Sequence, residues 1–208
     1  MSFYYAPSKE IRCETVIKHS RFIGVFAPIE DYDDGVAFVL SLKREFANAT
    51  HVCYAFISDE MGREQKFSDD GEPQGTAGQP ILDVLKKRNI KKAVLAVVRY
   101  FGGIKLGANG LVSAYSGSAS SVINEGALTK MVYSTLIEVE TDYIFAGKVR
   151  NILSEKGDIK DCIYDSGVLF KVTILPESID SITTLLMDAT SGNVIITERE
   201  KKYYPTKD

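Results

Sequence analysis

Three carboxylates fall within four positions at Asp69, Asp70 and Glu72, followed by the amide Gln74 and the hydroxyl Thr76. Such a set can hold a divalent cation, supply a general base, or accept the hydrogen bonds that shape a loop. A second stretch, Arg99 to Gly110, ends a strand in a cation. It passes through Tyr100 and Phe101 to Gly102 and Gly103, and carries Lys105 and Gly107 just before a helix that should start around Asn109 or Gly110. Backbone N–H groups at a helix start lack intrahelical partners and bind phosphate or carboxylate, and glycine lets the ligand approach. The same glycines serve equally well for positive φ and tight packing, and their spacing matches neither the dinucleotide fingerprint nor the Walker loop. A third stretch, Lys86-Lys87-Arg88-Asn89-Ile90-Lys91-Lys92, puts five cations in seven residues. It fits a phosphate-binding patch or a solvated helix end, where cations complement the dipole.

From these patterns the candidate nucleic-acid or anion contacts are Arg99, Tyr100, Gly102, Gly103, Lys105 and Gly107, with Lys86, Lys87 and Arg88 in support. Asp69, Asp70, Glu72, Gln74, Thr76 and His51 are the loop partners, His51 reading as a hydrogen-bonded residue at a strand end. No catalytic residue is assigned. The two histidines, His19 and His51, lack metal-ligand spacing, and no nucleophile elbow surrounds Ser113, Ser116 or Ser118. No metal and no cofactor are called for, and Cys13, Cys53 and Cys162 read as reduced, buried thiols.

The elements that must position these residues follow from periodicity. Arg12 to Ile17 and Phe22 to Pro28 read as a hairpin, and Asp33 or Asp34 caps a helix that ends near Asn48. His51 to Ser58 is a strand, with Gln65 to Phe67 as its partner. The run Ser68 to Pro80 holds three Gly and two Pro and is an elaborate loop. A helix opens at Pro80, Ala93 to Val98 is a buried strand, and Leu111 to Glu125 is a small-residue helix suited to close packing. Beyond residue 134 the order is βαββαβ: Leu136 to Glu140, Tyr143 to Glu155, Ile159 to Tyr164, Val168 to Leu175, Glu177 to Asp188 and Val194 to Glu200. That is a ferredoxin-like arrangement. The expected domains are therefore 1–133 and 134–208.

A chain of 208 residues suffices for two small cores. Its 45% hydrophobic and 25% charged residues exclude a disordered or low-complexity protein. With 25 basic against 28 acidic residues the net charge is -3, which argues against a protein that coats nucleic acid non-specifically. Sixteen basic and fifteen acidic residues precede position 134, and nine and thirteen follow, so any polyanion-binding face belongs to the first domain. No membrane-spanning run and no secretory signal are apparent, so a soluble, cytoplasmic protein is expected.

Together, His19-Ser20-Arg21-Phe22-Ile23, the loop Ser68 to Pro80 running into Ile81-Leu82, and Val98 to Gly107 resemble the signature of the IMPACT family. The resemblance spans nearly the whole chain, since bacterial members add a small ferredoxin-like domain. One departure is Asn109, where the family is expected to carry Gly. The resemblance implies an α+β protein: an N-terminal α/β domain with a left-handed crossover, like a ribosomal-protein domain 2 and domain IV of elongation factor G. A ferredoxin-like domain similar to domain V of that factor follows. It makes non-enzymatic binding of RNA or the ribosome, with a role in translational regulation, the leading expectation. A small-molecule or phosphoester enzyme and a protein-interaction regulator stand as alternatives from other classes, since one fold hosts many functions.

Overall fold

The computed structural model describes residues 3–206. It is an α+β chain of two sheets and five helices, and it divides into two compact units, Tyr4–Thr129 and the residues from Lys130 onward together with Phe3. The division falls inside one strand, a few residues ahead of position 134.

In the first unit five antiparallel strands lie in the order β2-β3-β6-β4-β5. They are β2 (Ile11–Ile17), β3 (Ser20–Pro28), β4 (His51–Ile57), β5 (Gln65–Ser68) and β6 (Ala93–Tyr100), after a short β1 (Phe3–Pro7). Lys18 (φ 45) and His19 (φ 66) form the two-residue turn between β2 and β3, with Ile17 opposite Ser20. Positive φ at both positions is the geometry that matches the twist of a hairpin. Helix α1 (Tyr32–Glu45) covers one face through Val39 and Leu42, packed on Val25, Phe56, Val94 and Val98. Helices α2 (Gly78–Lys87) and α3 (Ala108–Asn124) cover the other face, over Phe22, Cys53, Leu95 and Val97. Strand β6 is central and buried on both faces, which explains its unbroken apolar run.

The α1 cap is Asp31, whose side chain accepts from the Asp34 N–H at 2.8 Å, rather than Asp33 or Asp34, and the helix stops at Glu45. Asp33 and Asp34 lie in the first turn, where negative charge complements the dipole.

In the second unit β7 (Leu128–Thr141), α4 (Tyr143–Lys156), β8 (Asp158–Tyr164), β9 (Val168–Ile174), α5 (Ile179–Thr190) and β10 (Val194–Pro205) run in the βαββαβ order, with a 3₁₀ turn at Pro176–Ser178. Strand neighbours are β10-β7-β9-β8, each pair antiparallel. Helices α4 and α5 cover one face, closing Val149, Leu153, Ile182 and Leu186 over Val139, Phe170 and Val172. β7 and β10 are longer than the apolar alternation announces. Their outer halves pair with each other, Tyr133 opposite Tyr203, and expose polar residues that carry no periodic signal. No helix among the described residues is long and apolar enough to cross a membrane.

Candidate functional site

The two chemical loops meet at the end of the first sheet where β6 finishes. Register sets His51 of β4 opposite Arg99 of β6, so both lie beside the loop that follows β5. Arg99 is not the exposed polyanion contact expected of it: it is 4% exposed. Its Nη1 donates to Glu72 Oε1 at 2.6 Å, and that oxygen also accepts from the Tyr115 hydroxyl of α3 at 2.7 Å. The guanidinium lies between the rings of Phe22 and Phe101, 5.4 Å from each centroid, and its Nε is buried with no hydrogen-bond partner among the described residues. A buried cation needs a compensating anion, and Glu72, itself 8% exposed, fills that role. Burial pushes the Tyr115 hydroxyl well above its ordinary range, so it remains the donor to Glu72.

The other two acids of the loop are committed to its shape. Asp69 accepts three backbone N–H groups, from Gly75 at 2.9 Å, Ala77 at 3.0 Å and Gly78 at 2.8 Å. It thereby caps α2 from eight residues upstream, a placement that favours a carboxylate at a helix N-terminus. Asp70, in the left-handed region at φ 45, accepts from the Val52 N–H at 2.7 Å and pairs with Lys43 of α1. Desolvation alone would raise both pKa values, but backbone donors at Asp69, and Lys43 with the Val52 N–H at Asp70, hold them below the ordinary carboxylate range. The His51 Nδ1 lies 2.8 Å from the Asp70 carbonyl oxygen, and its Nε2 is 3.8 Å from Glu72. Thr76 is buried, its hydroxyl donating to the Pro73 carbonyl, whereas Gln74 is exposed. Of the uses open to this acidic cluster, the geometry is that of loop-shaping acceptors. Among the described residues no group of three or more His, Cys, Asp and Glu is placed to hold a metal ion.

In the second loop Gly102 is required by close approach: a Cβ there would stand 2.1 Å from the His19 carbonyl carbon. Its N–H donates to Ser20 Oγ at 3.1 Å. Gly107 (φ 74) flanks α3, which begins at Ala108, and no side chain caps this helix start. Asn109 therefore sits in the first helical turn with an exposed side chain, and left-handed geometry is not asked of it. Tyr100 is half-buried beneath the Arg21 guanidinium, Gly103 (φ 87) has open space about its Cα, and Lys105 is exposed. Phe101, Lys105, Leu106, Gly107, Ala108 and Leu111 join Thr50, His51, Glu72, Pro73 and Arg99 around a cavity of about 430 Å³.

Lys86, Lys87 and Arg88 are not part of this surface. Helix α2 begins at the acidic loop and ends beside Ala93, the far end of β6 from Arg99, where Lys91 Nζ reaches the Glu60 carbonyl. Eight strand residues separate the two ends by about 23 Å. The basic run thus reads as a solvated helix end, with Arg88 tied to Asn124 at 2.6 Å. Phe101, Tyr115 and Ser20 stand outside the contacts assigned from the sequence. Tyr115 sits in the small-residue helix, where an aromatic reads first as packing, whereas Phe101 belongs to the Arg99 to Gly110 stretch and Ser20, the first residue of β3, to the His19 to Ile23 motif.

The Impact N-terminal domain matches residues 18–123, a span that holds these two loops and the Ser20-Arg21-Phe22 strand start. The chain belongs to the IMPACT family. It is 35% identical over 201 residues to IMPACT family member YvyE of Bacillus subtilis (strain 168), covering 96% of this chain and 93% of that one. IMPACT family member YigZ of Escherichia coli (strain K12) is 30% identical over 197 residues, 93% of this chain and 97% of the relative. Among solved structures, the crystal structure of a hypothetical protein superimposes with a TM-score of 0.61 at 29% identity, covering 97% of this chain and all of the other. Within this IMPACT chain, the matched residues hold the whole Arg99–Glu72–Tyr115 junction and the cavity beside it.

Proposed function

We propose that this protein is a non-enzymatic RNA-binding protein acting in the cytoplasm on the ribosome or a structured RNA, and that the cavity at the start of α3 takes one nucleotide unit. The observation that carries this reading is Phe101, 46% exposed at the rim of the cavity, with its ring braced by the buried Arg99 guanidinium. An exposed ring backed by a fixed cation is a stacking platform for an unpaired base. Lys105 and the uncapped N-terminus of α3 line the same cavity and offer a cation and free N–H donors to the adjoining phosphate. Glu72 is neutralised by Arg99, so the cavity's charge balance stays cationic.

The test is titration of a dye-labelled single-stranded RNA with the full chain at several salt concentrations. Lys105→Gln should weaken binding by about 1.5 to 3 kcal/mol and reduce the salt slope by about one. Phe101→Ala should cost about 1 to 3 kcal/mol and leave the slope unchanged. Absence of binding to RNA and to ribosomal particles, or full affinity in both variants, overturns the proposal.

A further inference from the structure

A second recessed surface, of about 550 Å³ and with a chemistry opposite to the first, lies where the helix-free face of the C-terminal sheet meets the turns at 165–167 and 192–193. Because α4 and α5 cover Val139, Val168, Phe170 and Val194, strand alternation sends the residues between these positions to the other face. Register then lines up Ile195, Glu140, Leu169 and Ile163 as one row across β10, β7, β9 and β8. Ile195 is 64% and Ile163 41% exposed, so the row is an apolar strip interrupted by one carboxylate. At its end stand Asp142, which begins α4 without using its side chain as a cap, and Asp165 of the β8–β9 turn. All thirteen lining residues include three carboxylates and no cation. None of the three accepts a hydrogen bond through its carboxylate, or forms an ion pair, among the described residues. That separates this group from Asp69 and Asp70, whose oxygens are taken.

We propose that this face docks an extended basic segment of a partner protein, with arginine or lysine heads at Glu140, Asp142 and Asp165. The aliphatic stems and intervening apolar side chains of that segment lie along Ile163, Leu169 and Ile195. Charge complementarity selects the occupant. Unpaired carboxylates repel nucleic acid and attract cations, and an apolar strip beside them suits the amphipathic stem of Arg or Lys better than a bare cation. The surface lies within the C-terminal unit and does not depend on the RNA reading of the N-terminal cavity.

The experiment uses the full ¹⁵N-labelled chain and a dye-labelled peptide of alternating arginine and leucine. Matched controls are a glutamate-leucine peptide, spermine and a single-stranded RNA. The expected result is binding of the arginine-leucine peptide with amide shifts at Ile163, Leu169 and Ile195. The Glu140→Gln/Asp142→Asn/Asp165→Asn variant, with an unchanged melting curve, should weaken it by about tenfold or more. Ile163→Ser/Ile195→Ser should weaken it while leaving the weaker spermine binding as it was. Undiminished peptide affinity in the carboxylate variant, equal affinity for spermine or for the glutamate peptide, or RNA shifting this face would overturn the proposal.

Discussion

Asp69, Asp70 and Glu72 in the N-terminal unit accept from four backbone N–H groups, a lysine, a buried arginine and a tyrosine, whereas Glu140, Asp142 and Asp165 in the C-terminal unit accept from nothing described through their carboxylates. Two groups of three acids, similar in composition, are thus used in opposite ways. The first exchanges hydration for fixed donors and becomes part of the framework. The second keeps its hydration and leaves its charge available. Acidic residues report a binding site only once their oxygens have been accounted for.

The sharpest way to break the comparison is at Arg99. Arg99→Met leaves Glu72 buried without its cation, and denaturant unfolding should show a loss of about 3 to 5 kcal/mol. Arg99→Met combined with Glu72→Gln should recover much of it, because the uncompensated charge is gone. An Arg99→Met variant as stable as the parent would mean that Glu72 is not held by this pair.

Asp69→Asn comes next. Removing the charge from a carboxylate that organises three backbone donors should cost about 1 to 3 kcal/mol by the same measurement. The pH dependence has a definite sign. Asp69 and Asp70 have native pKa values below their ordinary ones, so their contribution is complete above the ordinary aspartate range and is lost as the pH falls through the lowered native values. An Asp69→Asn/Asp70→Asn chain should therefore lose less stability on acidification than the parent, and an unaltered acid limb would contradict the assignment.

Much of this architecture could be read ahead of the structure because it is periodic. The β6 run, the Ser68 to Pro80 loop, the α3 composition and the βαββαβ order are all local patterns, and they lie where they are expected apart from the outer halves of β7 and β10. What could not be read is pairing across distance. The sequence leaves open whether Arg99 meets a ligand or turns inward to Glu72 or Asp70 of the other loop, and nothing near Ala77 announces that Asp69 caps its helix. The basic run after Val84 resembled a binding patch because cations favour a helix C-terminus with or without a ligand. Only the direction of α2 along the sheet separates it from the cavity. Strand β1 is not legible in the sequence, because five residues ending in Pro7 show neither alternation nor a long apolar run.

The smallest expected effect sits on the other side of the comparison. The Glu140→Gln/Asp142→Asn/Asp165→Asn variant should unfold within about 0.5 kcal/mol of the parent, since it removes charges that hold nothing. A loss comparable to that of Asp69→Asn would show that these acids also shape their loops, and would erase the contrast.

Cys53 lies beneath the acidic loop, its thiol donating to the Asp69 carbonyl at 2.9 Å, and burial pushes its pKa up to about 12. A protonated, covered sulfur does not react with alkylating reagents, whereas Cys13 and Cys162, free thiols like Cys53, are only half-buried. Labelling of Cys53 should therefore form a slow phase that clocks the lifting of the 69–78 loop. It can be read by mass spectrometry without any engineered probe, and it should run faster in Asp69→Asn while the labelling of Cys162 keeps its pace.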